Sequence, residues 1–251
     1  MSCLDGARAR PTLIALEGAP ATIAYAGDWV DVDEEAALVS AAEAAADDWV
    51  AVRGRRLRRL GGPAGERGFA PEPLPRWASE LCAAVGAAAG AGEPGRRGRR
   101  RPNHVLVNAY AFSSGDPQSF PPALFSFPMN SPNCAGNRYV LAHADGPAYD
   151  DRTCALSCGA DCVVTFQRRL APGDVGVVDA GPPCRVLLRR RSLLVFSGYA
   201  YVARTHAIAA GADVLGADVA NLAAAGAAAG DVVARVGTRH SFTLRHAWPV
   251  D

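Results

Sequence analysis

The chain has 251 residues, 49% of them hydrophobic and 20% charged, with a formal net charge of +1. That is the profile of one ordinary globular domain, long enough to bury a core, and its near-neutral balance argues against a purely electrostatic nucleic-acid coat. All 26 cationic side chains are arginine and none is lysine, which excludes a Schiff-base lysine, a Walker A or kinase-type lysine and a Ser-Lys dyad.

Residues 1–21 carry little pattern and read as a loose arm. DVDEEAALVSAAEAAADDWV (31–50) predicts a first helix, with Asp33 as its N-cap and acidic residues in its first turn. RGRRLRRLGGPAGERG (53–68) reads as a polar, arginine-rich link. Over 71–89 the residues Trp77, Leu81 and Val85 recur at i, i+4 and i+8, predicting a second, amphipathic helix. GEPGRRGRRRP (92–102) ends it and packs five arginines into positions 96–101. Such a run is a solvated loop or a phosphate-binding or nuclear-import patch.

From His104 the pattern changes to short β-branched and aromatic runs between turn residues: HVLVNAY, RYVLAHAD, TCALSC, CVVTFQ, RVLLRR, SLLVFS, YAYVARTH and RHSFTLRHAW. Eight strands after two helices predict an α+β domain with a double-stranded β-helix (jelly-roll) core and N-terminal supporting helices. The expected boundaries are a helical region over 22–101, packed on the core, and a jelly roll over 102–248. The latter carries an atypical insertion at 112–137, nearly uncharged and rich in Ser, Pro, Asn and Phe.

The seven cysteines are odd in number, with no leader-like segment before them, and read as packed free thiols of an intracellular protein of the nucleus or cytoplasm. Cys154, Cys158 and Cys162 lack the paired spacing of a zinc ribbon. No apolar run reaches the length of a membrane span.

Strand geometry places residues i and i+2 on one face. It therefore groups Asn108 with Tyr110, His143 with Asp145, and Arg239 with Ser241, Thr243 and Arg245. An H-x-D pair aims an imidazole and a carboxylate at one point. With a later histidine, His206 by position, it makes a 2-His-1-carboxylate triad that leaves coordination positions open on Fe(II). Each pair alone also has an ordinary reading as core or surface residues; their order along the strands gives the set its weight. His104, His240 and His246 read as structural. The glycine spacing at Gly90, Gly92 and Gly95 follows a helix and contains Pro94, so it is no dinucleotide fingerprint.

The segments PNHVLVNAY (102–110), HADGPAY (143–149), RRSLLVFSGYAYVARTHAI (190–208) and VGTRHSFTLRHAW (236–248) together resemble the AlkB family of Fe(II)/2-oxoglutarate dioxygenases, and within it the subfamily of the sixth eukaryotic homologue. The likeness runs over about 22–248, and 54–77 is similar to that subfamily's N-terminal segment. The resemblance implies Fe(II) on His143, Asp145 and His206. It implies 2-oxoglutarate on Asn108, Tyr110 and Arg239, with Arg239 gripping the distal carboxylate. Arg245, six residues on and about 20 Å away along an extended strand, is implied at the metal end.

The implied reaction consumes 2-oxoglutarate and O2 and oxidatively dealkylates an N-alkylated nucleobase, flipped out or single-stranded. The arginines of 53–59 fall at the family's nucleotide-recognition lid. The expected partner is alkylated DNA or RNA, and the expected state a monomer. The open alternatives are a nucleic-acid or protein binding module with a silent site, and an oxygenase acting on protein. One departure stands out: 32 residues (111–142) separate Tyr110 from His143 where the family has a short turn, of about eight residues. The excess reads as a retained intron or a lineage-specific loop.

Overall fold

A computed structural model describes residues 2–17, 19–20, 22–52, 55–65, 68–90, 100–112, 138–146, 148–169, 183–209 and 212–249. The insertion over 113–137 lies outside them, as do residues 91–99 of the arginine-rich loop. In chain order the elements are β1 (Ile14–Ala15), β2 (Ile23–Ala26), α1 (Val32–Glu43), β3 (Val50–Val52), β4 (Arg55–Leu60), β5 (Ala64–Gly65), β6 (Gly68–Phe69) and α2 (Arg76–Ala88). There follow β7 (His104–Phe112), β8 (Arg138–His143), β9 (Arg152–Cys158), β10 (Cys162–Arg168), β11 (Cys184–Leu188), β12 (Ser192–Ser197) and α3 (Gly198–Val202). The last are β13 (Arg204–Ala209), β14 (Asp213–Val214), β15 (Val232–Val233) and β16 (Gly237–Arg245).

An eight-stranded sheet, ordered β1-β2-β12-β9-β16-β7-β4-β3, packs against a four-stranded sheet, ordered β11-β10-β13-β8; all their pairings are antiparallel. Alternation along each strand divides the side chains between two faces. The outer face of the large sheet presents Val105, Val107, Cys154, Leu156, Cys158, Leu193, Val195, Phe242 and Leu244, covered by Leu38 and Ala42 of α1 and Leu81, Cys82 and Val85 of α2. The inner face joins Ile23, Tyr25, Tyr110, Leu194 and Phe196 to Val164, Phe166, Val186 and Ile208 of the small sheet. The two predicted helices are thus braces behind the large sheet, and the space between the sheets is where a site can be built. All six described cysteines are buried free thiols.

Several expectations are corrected. The N-cap of α1 is Asp31, not Asp33: its side chain accepts from the Glu34 N–H while Glu34 reaches back to the Asp31 N–H, a capping box. The arm over 1–21 is not loose in its described part. Glu34 accepts from the Asp5 N–H at 2.8 Å and from Arg10 at 2.7 Å, Arg8 lies 3.2 Å from it, and β1 pairs with β2.

The polar link over 53–68 contains β4, which pairs with β7 and extends the large sheet, so no structural boundary falls at 102. YAYVARTH is not one strand. Its first part is the single helical turn α3, because β12 belongs to the large sheet and β13 to the small one, and the chain must cross between them. Gly198, at φ +49°, starts that crossing in a region open to glycine.

Candidate active site

Each sheet contributes one end of a cluster between them. From the small sheet, β8 ends at His143, directly opposite His206 of β13 in register, with ring centroids 4.3 Å apart. Asp145 follows two residues later. One ligand atom from each of His143, Asp145 and His206 lies within 4.8 Å of the others, a spacing suited to a single ion. Phe196 stands beside the His206 ring at 5.2 Å and Phe166 at 6.2 Å. The His206 ring is half-buried, and its desolvation, aided by His143 and Arg245 and opposed by Asp145, lowers its pKa to about 4. It is therefore neutral at pH 7, with a lone pair to offer.

Asp145 behaves oppositely. Burial favours its neutral form, but Arg245, His206, a Thr153 hydrogen bond and His143 outweigh it and hold the carboxyl below its ordinary value. Its side chain is 3% exposed. Arg245 Nη2 donates to Asp145 Oδ1 at 2.6 Å, and Thr153 Oγ1 donates to Oδ2 at 2.7 Å. The Tyr149 ring lies 4.8 Å from the Arg245 guanidinium, and His104, opposite Arg245 in register, sits 5.5 Å from Tyr149. Burial, with the charges of Arg245 and Arg59, lowers the His104 pKa to about 4, so this cationic corner gains no further charge at neutral pH.

The large sheet supplies the other end. Arg239 pairs in register with Tyr110, and Ser241 with Asn108. Arg239 is 2% exposed. Its Nη2 donates to Ser157 Oγ at 2.8 Å and its guanidinium carbon lies 5.6 Å from the Tyr110 ring centre. Its Nε is a buried donor without an acceptor, and Asn108 Oδ1 is likewise buried without a donor. No acidic side chain pairs with Arg239 among the described residues. A guanidinium taken out of water with a serine and an aromatic face as its partners among the described residues is costly unless an anion joins it. A small dicarboxylate such as 2-oxoglutarate meets that need at the Arg239 end.

The structure thus brings His143, Asp145 and His206 together, places Arg245 on Asp145, and sets Asn108, Tyr110 and Arg239 on the same inner face. The residues that the motifs did not reveal are Thr153 and Ser157. Both lie on β9 at inner-face positions i and i+4, one serving each end of the site; the alternation in TCALS is the signal that could have found them.

The arginines of 53–59 divide by face. Arg56 pairs with Glu43 at 2.8 Å and lies over Trp49, and the buried Arg58 donates to the Ala42 carbonyl and to Asp48. These two brace α1. Arg55, 5.9 Å from the Tyr110 ring, and the exposed Arg59 share the face of Tyr110 and Asn108. Arg53 lies outside the described residues. Arg100 lies over Trp248, and Arg101 donates to the Ser79 carbonyl.

No protein-family model matches the chain. Among solved structures it is similar to an oxidoreductase of the 2OG-Fe(II) oxygenase family from Burkholderia pseudomallei, with a TM-score of 0.50 and 13% identity over 97% of this chain and 98% of that one. It is also similar to OsALKBH1, with a TM-score of 0.48 and 12% identity over 92% and 99%. At such identity the likeness to the bacterial oxidoreductase speaks to the fold: a mostly antiparallel jelly roll of the 2OG-Fe(II) oxygenase type.

Proposed function

We propose that the chain is an Fe(II)- and 2-oxoglutarate-dependent dioxygenase that removes N-linked alkyl groups from nucleic-acid bases. One observation carries this reading: a two-histidine, one-carboxylate cluster shares an inter-sheet space with a buried arginine that has no carboxylate partner among the described residues. His143, Asp145 and His206 would hold the iron, which when bound supplies the redox chemistry of O2. The ionised Asp145 and neutral His206 suit that task without a prior proton transfer. Arg239, with Asn108 and Tyr110 beside it, would hold 2-oxoglutarate by its distal carboxylate. Phe166 and Phe196 line the metal end with apolar surface and limit water there.

The overall conversion takes 2-oxoglutarate and O2 to succinate and CO2 and hydroxylates the alkyl carbon, which then leaves as an aldehyde. The nucleic-acid reading rests on the motif resemblance to the AlkB family, including its sixth-homologue subfamily, and on Arg55 and Arg59. Both lie on the site's face of β4, Arg59 exposed and Arg55 half-buried, as candidate phosphate contacts.

The test is a turnover screen with Fe(II), 2-oxoglutarate and O2 over N-methylated single-stranded DNA and RNA oligonucleotides, reading succinate and formaldehyde together. The expected result is stoichiometric release of both with at least one oligonucleotide. Release only with methylated peptides would move the substrate class to protein, and no turnover with any of these would overturn the enzymatic reading.

A further inference from the structure

We infer that Thr153 is a positioning residue for the metal centre, holding the Asp145 carboxylate in the plane from which it ligates. This rests on the reading of His143, Asp145 and His206 as a metal site. Asp145 follows its strand instead of lying within it: β8 ends at His143. A carboxylate on such a segment can turn about its Cβ–Cγ bond unless both oxygens are tied. Arg245 alone ties one. A single donor at Oδ1 leaves Oδ2 free to swing, whereas the Thr153 hydroxyl at 2.7 Å from Oδ2 completes a two-point clamp.

The clamp is anchored rigidly. Thr153 is 1% exposed and lies in β9, paired opposite Phe196 of β12, and Arg245 closes β16. Both donors therefore come from the large sheet, while the two histidines come from the small one. Thr153 and Arg245 thus fix the third ligand relative to a pair that sits on the opposing sheet. Donors around a ligating carboxylate orient it, and their loss weakens a metal site about tenfold or more.

The Thr153→Val variant keeps the shape and removes the hydroxyl; Thr153→Ser restores a donor. The probe is anaerobic Co(II), followed by equilibrium titration and by its visible d–d spectrum, with thermal unfolding measured in parallel. The inference expects Thr153→Val to bind Co(II) about tenfold more weakly with an altered spectrum, and Thr153→Ser to recover both. Wild-type affinity and spectrum in a folded Thr153→Val protein would overturn it. If the wild-type protein itself bound no Co(II), the metal-site reading would fail first, and the two failures are distinguished by the wild-type titration alone.

Discussion

Arg239 concentrates the tension between stability and function. A buried cation whose partners among the described residues are Ser157 and the face of Tyr110 is retained at a cost in the ligand-free protein, as expected of a group that waits for an anion. Arg239→Met should therefore abolish succinate formation while leaving the melting temperature of the free protein unchanged or higher. A large loss of stability would mean that the arginine is structural. Arg239→Lys, with a point charge in place of a planar fork, should raise the 2-oxoglutarate KM at least about tenfold.

At this scale the placement of the cluster was legible in the sequence, because a period of two puts Asn108 with Tyr110 and Arg239 with Arg245 whatever the topology. For Thr153 and Ser157 the alternation in TCALS marks a shared face but not a role, since a hydroxyl on a strand does not say what it will bond. Their importance appears only when β9 is set between β12 and β16.

The elements that brace the sheet carry their own chemistry. In α1, burial alone would raise the Glu34 carboxyl, but Arg10 and the N–H groups of Asp31 and Asp5 outweigh it and hold it below the ordinary carboxylate range. A depressed folded value means stability that is present above the unfolded pKa, about 4.3 for glutamate, and lost as pH falls through the folded one. Glu34→Gln should thus cost about 2 kcal/mol at pH 7, less than a fully buried pair because Arg8 and Arg10 remain partly solvated. The difference from wild type should shrink steadily in urea melts as pH drops below about 4; a gap independent of pH would contradict the role of its charge.

In β4 the prediction separates neighbours. Removing Arg55 or Arg59 should reduce the salt dependence of single-stranded oligonucleotide binding by about one unit of slope each, measured by fluorescence anisotropy against salt. Arg56→Ala should leave that slope unchanged, since Arg56 is engaged with Glu43 and Trp49. β4 escaped the sequence reading because five arginines in seven positions (53–59) resemble a solvated link; the buried stem of Arg58 and the Arg56 ion pair make it a strand. Asp31-x-x-Glu34 is a capping box readable in the sequence, with Asp33 as a competing acidic residue inside the first turn.

Across the whole molecule, the jelly roll was legible as a succession of strands but not as a pairing. That β16 lies between β9 and β7, and that β2 and β4 complete the large sheet, depends on contacts far apart in sequence, to which local pattern is blind. The same topology gives the site its two halves: histidines from the small sheet, and Arg239, Arg245 and the hydroxyls of Thr153 and Ser157 from the large one. The absence of lysine, legible from composition, acquires its meaning here, since any permanently charged side chain that grips an anion at the inner end of the site must be a guanidinium.

The proposed function needs a metal at one end of this divided site and a dicarboxylate bound at both. Its most direct test is anaerobic calorimetric titration of 2-oxoglutarate into the protein with and without Fe(II). One equivalent should bind when iron is present, with binding severely weakened without metal, in His143→Ala and in Arg239→Met. Binding of 2-oxoglutarate that needs neither the iron nor Arg239 would contradict it.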